Sequence, residues 1–265
     1  MQTIQSKETT AVAKPKKTVQ DLIQQMMPEI KKALPATISV ERFTRIVLSA
    51  ISTTPQLAAC TPKSLLGAMM TAAQLGMEVN TPLGQCYLIP YKNHGIDEVQ
   101  FQLGYKGLID LAYRSGEVQT IQAQTVYEGD EFEYEYGLEP KLRHKPAKEN
   151  RGAPVYYYAI FRTKSGGYSF EVMSIADIVA HRDKFSKAAA RGFSPWATNF
   201  DEMAKKTVLK RVLKYAPMST DFHRAASADE TIKSELSADM FAAPDETIQG
   251  EMADEQPEAA EAAKE

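Results

Sequence analysis

The chain has 265 residues, 43% of them apolar and 9% aromatic, enough to bury one sizeable core. Its formal charge of −3 conceals an asymmetry: residues 227–265 hold twelve acidic residues and two lysines, whereas residues 1–226 hold 29 basic and 22 acidic ones, a net of +7. Two cysteines and four scattered histidines exclude a disulfide framework and a zinc cluster of ordinary spacing, and no stretch approaches the roughly 18 consecutive apolar residues of a membrane span.

Residues 1–17 are rich in Lys, Thr, Gln and Ala and are expected to form a disordered arm. Val19 to Leu34 reads as an amphipathic helix, distorted at Pro28. Ser39 to Thr53 is a second helix, with Phe43, Ile46, Val47 and Ile51 on its apolar side. Thr61-Pro62 marks the start of a third, an N-cap followed by proline, which ends at Gly76. The period then shortens. Gln85–Tyr91 and Val99–Leu103 read as strands of a hairpin joined by the turn-rich KNHGIDE. Tyr105–Arg114 is a short helix closed by Ser115-Gly116, and Val118–Tyr127 and Phe132–Tyr136 are strands. Val155–Arg162 and Tyr168–Met173 flank Lys164-Ser165-Gly166-Gly167, a second hairpin. Helices follow at Ser174–Lys187 and Trp196–Tyr215. The expected architecture is α+β, with helices on a mostly antiparallel sheet or hairpin meander. It divides into the arm 1–17, a core 18–226, and an acidic, disordered tail 227–265.

The densest chemical signal is SPWATNFDEMAKKTVLKRVLKYAP, Ser194 to Pro217. At 100° per residue, Phe200, Ala204, Val208, Val212 and Tyr215 fall on one side, while Lys206, Lys210 and Lys214 repeat at i, i+4, i+8 on another. Lys205 and Arg211 border these faces. Such a helix is either an ordinary solvated face or a surface for a polyanion. After Glu202 it carries five cations and no acid, whereas a face selected for stability mixes signs, so the pattern favours phosphate. A second candidate is GYKGLIDLAYRSG, where two glycines flank Lys106 at a strand-to-helix junction and Arg114 follows two turns later. No GxxxxGK[ST] motif occurs, so nothing points to nucleotide hydrolysis and no cofactor is expected.

Aromatic residues crowd the strands (Tyr87, Tyr91, Phe101, Tyr105, Tyr156, Tyr157, Tyr158, Tyr168), and most are assigned to the core. Trp196 stands open between the core and a ring on which bases stack. In DEFEYEYGLEPK, Glu131, Glu133 and Glu135 alternate with Phe132, Tyr134 and Tyr136, as on a strand with one wet face. Asp130 with Glu139-Pro140-Lys141 imitates the D…ExK spacing of metal-dependent nucleases, but Pro140 is misplaced for a central strand.

Five strings in sequence order resemble the RecT family of phage and prophage single-strand annealing proteins. They are AAQLGMEVNTPLGQCYLIPY (72–91), VQFQLGYKGLIDLAYRSG (99–116), VYEGDEFEYEYG (126–137), GGYSFEVMS (166–174) and the basic segment 194–217. The resemblance spans roughly residues 20 to 220. It implies a protein, not an enzyme, that binds single-stranded DNA and anneals complementary strands into duplex without ATP. It also implies a homo-oligomer, ring or helical filament, with DNA in a basic groove, a partner exonuclease and host single-stranded DNA-binding protein as associates, and a location in the bacterial cytoplasm away from membranes. Carried onto this chain, the DNA-contacting positions are Lys106, Arg114, Trp196, Lys205, Lys206, Lys210, Arg211 and Lys214. Tyr113 stands where relatives can carry a second basic residue. The acidic tail reads equally as a competitor for the basic groove or as a solvating tail. The alternatives are a metal-dependent DNA nuclease and a non-catalytic structural or adaptor oligomer.

Overall fold

Thr18 accepts a hydrogen bond from the backbone of Asp21 and receives one in return, a capping box that starts α1 (Val19–Ala33). The computed structural model describes residues 18–186, 194–216, 219–247 and 251–252; the arm expected over 1–17 lies outside them. α1 runs through Pro28 as one continuous helix. The carbonyl deprived of a partner by the proline belongs to Gln24, which is exposed. α2 (Val40–Thr53) is capped by Ser39 and buries Phe43 and Val47. A short α3 (Gln56–Ala59) precedes α4 (Pro62–Leu75), which ends where Gly76 turns left-handed at φ 60°. Thr61 marks the start of α4 as expected, but its hydroxyl bonds to Ser64 Oγ and caps no backbone amide.

β1 (Cys86–Asn93) and β2 (Ile96–Leu103) form the first hairpin. Its strands reach further than the sequence suggested. Only His94 (φ 49°) and Gly95 (φ 84°) make the turn, two positive-φ residues that match the twist of the flanking strands. α5 (Tyr105–Arg114) follows, then β3 (Val118–Tyr127), β4 (Glu131–Glu135), β5 (Lys141–Lys145), β6 (Pro154–Thr163) and β7 (Tyr168–Ser174). After α6 (Ile175–Phe185) come α7 (Pro195–Thr198), α8 (Phe200–Val212) and α9 (Thr220–Ala228). The described part ends in β8 (Thr231–Lys233), β9 (Asp245–Thr247) and β10 (Glu251–Met252). The α+β class stands, but among the described residues the strands form three separate sheets with antiparallel pairing between strands, and one isolated parallel bridge joins Val79 to Cys86. Their orders are β10-β1-β2-β8-β9, β3-β6-β7 and β4-β5.

Two expectations need correction. The helix expected over Trp196–Tyr215 is interrupted at Asn199 (φ −138°, ψ 50°), and its last turn, Leu213–Tyr215, tightens to a 3-10 helix. At three residues per turn the inward position passes to Leu213, which is 0% exposed, while Tyr215 swings out to 78%. The acidic segment expected to leave the fold at residue 227 instead continues it. β8 and β9 extend the first sheet, and Ala228, Ile232, Met240 and Ala243 are buried. Average composition hid these few apolar anchors among the acids. Residues 253–265 lie outside the described part.

Candidate nucleic-acid interface

α8 packs on β3, β6 and β7 along one side and on α5 along another, so few of its faces remain for solvent. Ala204, Val208 and Val212 are buried as the helical period predicted, but so are Met203, Leu209 and Lys206. The Lys206 ammonium donates to Asp229 Oδ1 at 2.8 Å and Glu230 Oε1 at 2.9 Å, and Lys210 donates to Asp229 Oδ2 at 2.8 Å. Burial works against the Lys206 charge, but the two carboxylates outweigh it and hold its pKa above the ordinary lysine value. Burial likewise opposes the charge on Asp229, and Lys206 and Lys210 overcome it to hold that carboxyl below its usual range. Lys205 pairs with Asp201, one turn earlier, and Arg211 Nε lies 2.7 Å from Glu171 Oε1 on β7. The helix that looked free of acids after Glu202 therefore meets acids supplied by other elements.

A cleft of about 210 Å³ opens between α6 and α8. Lys206, Lys210, Arg211 and Lys214 line one wall, His181, Arg182 and Phe185 the other, with Trp196 and Glu230 between them. Five of the eight residues expected to contact DNA thus meet in one place. They are not equivalent. Lys206 is sealed, with a side chain 4% exposed, whereas Lys210 and Arg211 keep 35% and 49% of theirs in solvent. Lys214 is exposed and, among the described residues, makes no ion pair. Trp196 is 7% exposed and sets its edge against Phe200 at 5.8 Å, so it belongs to the core and floors the cleft. Against the five cations of the lining stand Asp229, Glu230, Glu171 and Asp183, the last paired with Arg182, so the local excess is one positive charge. Burial and the cations Arg211, Lys210 and Lys214 lower the pKa of His181, while Glu230 opposes them.

Lys106, Arg114 and Lys205 do not line this cleft. Arg114 donates to the carbonyls of Leu75 (2.6 Å) and Gly76 (3.1 Å) and pairs with Asp110, so it caps the C-terminus of α4. The glycines beside Lys106 also have a local cause. A Cβ on Gly104 would stand 2.1 Å from the Gly84 carbonyl oxygen, and one on Gly107 would stand 2.1 Å from that of Gln85. They let α5 press against the preceding backbone. Lys106 itself is exposed, its stem beside Gly84.

The acidic hairpin has a structural role as well. Glu131, Glu133 and Glu135 face Lys145, Arg143 and Lys141 across β4 and β5, the wet face the alternation predicted. Phe132 stacks on Tyr158 and Tyr136 on Phe170 with ring centres 5.6 and 5.1 Å apart, which docks this hairpin on β6 and β7. Asp130, the first residue of the nuclease-like spacing, is wholly buried at its base. Oδ1 accepts from the backbone of Ala147 and from Arg151 Nε; Oδ2 accepts from the backbone of Tyr127, from His144 and from Arg151 Nη2. The Arg151 bonds foremost, against the cost of burial, hold this carboxyl far below its usual range. With both oxygens occupied it is not open to a metal ion. Among the described residues no three His, Cys, Asp or Glu side chains are grouped to hold one. The thiols are buried too, and burial pushes Cys60 up to about 12.

Sequence reasoning missed His181, Arg182 and Phe185. The signal was present: Ile178, His181 and Phe185 fall at i, i+3, i+7 on α6, but no local motif connects that stripe to α8.

The family model described as the RecT family matches residues 41–246, a span that includes the whole cleft lining and both β8 and most of β9. Protein RecT of Escherichia coli (strain K12) is 43% identical over 210 residues, 77% of this chain and 77% of that protein. The uncharacterized protein YqaK of Bacillus subtilis (strain 168) is 33% identical over 192 residues, 72% of this chain and 64% of that protein.

Proposed function

This chain belongs to the RecT family, and on that premise we propose that the cleft between α6 and α8 holds the backbone of single-stranded DNA during annealing. The chain is a single-stranded DNA annealing protein of phage-type homologous recombination. The observation that supports the cleft as its binding surface is the convergence of Lys210, Arg211 and Lys214 opposite Arg182, with Lys214 exposed and unpaired among the described residues.

The proposed mechanism is charge neutralisation. Lys214 meets a phosphate directly, while Lys210 and Arg211 share their charge between carboxylates below and phosphates above. Lys206 touches no phosphate: it holds Asp229 in place beneath Lys210. Lys106 and Lys205 lie apart from this cleft and serve a neighbouring stretch of the strand. Contacts confined to the backbone lessen repulsion between strands and leave base edges free, so base pairing selects the partner. No step needs ATP or a catalytic side chain. In this reading the protein works as a ring or filament of its own copies in the cytoplasm of a bacterial host. A partner exonuclease exposes the strand, and host single-stranded DNA-binding protein covers it.

The test is annealing of two complementary oligonucleotides, one carrying a dye and one a quencher, with protein but without nucleotide. Quenching should accelerate, equally with chelator present, and Lys214→Ala should slow it. Labelled strands incubated with Mg²⁺ should keep their length; shortening would instead support a nuclease. An annealing rate untouched by protein sinks the reading.

A further inference from the structure

The apolar stripe of α6 outlasts the core it packs against. Ile178 is 0% exposed, His181 one turn later is half-buried, and Phe185 a further turn on is 63% exposed. A single exposed aromatic ring is commonplace and by itself carries no meaning. This one is placed unusually. Its centroid lies 4.7 Å from that of His181, the Lys184 ammonium lies 5.2 Å from its centre, and both rings line the cleft opposite Arg211 and Lys214. A phenyl ring braced at a tilt by a second ring, with the Lys184 ammonium over it and Arg211 and Lys214 across the cleft, combines the two features that bind single strands without regard to sequence: an apolar plane for a base and positive charge for its phosphate.

We infer that Phe185, braced by His181, is a stacking platform for an unpaired nucleobase of the strand bound in this cleft. The inference deepens the proposed function and rests on it. Lys214 and Arg211 fix the phosphates; Phe185 covers one face of the attached base and removes its own ring from water. Any of the four bases fits, because each presents a π face. A base already stacked within a duplex does not, so the platform favours the strand before pairing over the product after it. His181 acts through Phe185 by limiting its rotation, which makes it a positioning residue.

The experiment compares dye-labelled oligothymidylate with an abasic oligonucleotide of the same length, by fluorescence anisotropy across a salt series. Abasic DNA keeps the phosphates and lacks the rings. The wild-type protein should bind the base-bearing strand about tenfold more tightly than the abasic one, and Phe185→Ala should reduce that preference to about twofold. The salt slope of Phe185→Ala should match wild type, since no phosphate contact is lost. Phe185→Trp should restore the preference, which excludes a folding defect at this position as the cause. A wild-type preference in Phe185→Ala overturns the platform. Lys214→Ala separates the two ideas: if it lowers the salt slope while Phe185→Ala changes nothing, the cleft stands and the platform falls. If it leaves the slope unchanged, the strand is not in this cleft and both fall.

Discussion

The ammonium of Lys206 lies 2.8 Å from Oδ1 of Asp229, 23 residues further along the chain, and both side chains are sealed from solvent. The same Oδ1 accepts the backbone amide of Leu103 at 2.8 Å, so one carboxylate ties α8 to the end of β2 and to the turn between α9 and β8. Lys206 on α8 and Lys214 on the 3-10 turn that follows it, eight residues apart, consequently differ: one is sealed in ion pairs and the other is exposed.

Their substitutions should separate cleanly. Lys206→Ala strands Asp229 with Lys210 as its remaining cation and should cost about 3–5 kcal/mol in a denaturant melt at pH 7, as for other fully buried pairs. Lys214→Ala should stay within about 0.5 kcal/mol of wild type, yet lower the log–log salt slope of single-strand binding by about 0.7. Lys210→Ala and Arg211→Ala should lower it less, since each trades a carboxylate for a phosphate. Equal stability losses at positions 206 and 214 would contradict this division.

Ending the chain at residue 226 should not yield a more avid DNA binder. It removes Asp229 from Lys206 and strips Ile232 and Met240 from the core, so the product should melt early or fail to fold. A chain ending at residue 252 should keep the wild-type melting temperature while losing the last five acidic residues. If those acids compete for the cleft, its DNA affinity should rise at low salt, and the gain should vanish as salt screens it.

Asp130→Asn should loosen the β4–β5 hairpin without affecting the cleft. Arg151 keeps 36% of its side chain exposed, so the loss should be about 2 kcal/mol, below that of a wholly buried pair. The pKa of Asp130 is depressed in the fold, so its contribution is fully present above about pH 4, its unfolded range, and declines as pH falls below that. Acid melts should show this decline in wild type and lack it in Asp130→Asn.

DNA binding should take up a proton at His181. Burial, Arg211, Lys210 and Lys214 depress its pKa in the free protein, against Glu230, and an arriving phosphate reverses part of that cationic field. Affinity should therefore rise as pH falls below the ordinary histidine range. In the absence of DNA the same depression should lower stability over that range, because the unfolded chain protonates more readily. Titrations of wild type and His181→Gln would decide this: a shared, flat pH profile would place the phosphates elsewhere.

Local structure was largely legible along the chain. The proline-marked start of α4, the whole of α5 and the hairpin β6–β7 follow from proline, glycine and alternation, signals that act within a few residues. The ends of the β1–β2 turn were misplaced because Asn93 and Asp97 are turn-compatible residues that the ladder nonetheless pairs. The segment after residue 226 was misread because composition averages over many residues, while burial of Ile232 and Met240 needs only two.

The sequence by itself determined the family, the α+β class, the hairpins and the density of cations on α8, since each is written in neighbouring residues. Only the tertiary structure decided which of those cations are free. The carboxylates that silence Lys206 and temper Lys210 and Arg211 arrive from residues 229, 230 and 171, on elements that a helical wheel does not contain. Charges interact through space at a few ångströms, and the distance along the chain has no influence on that energy.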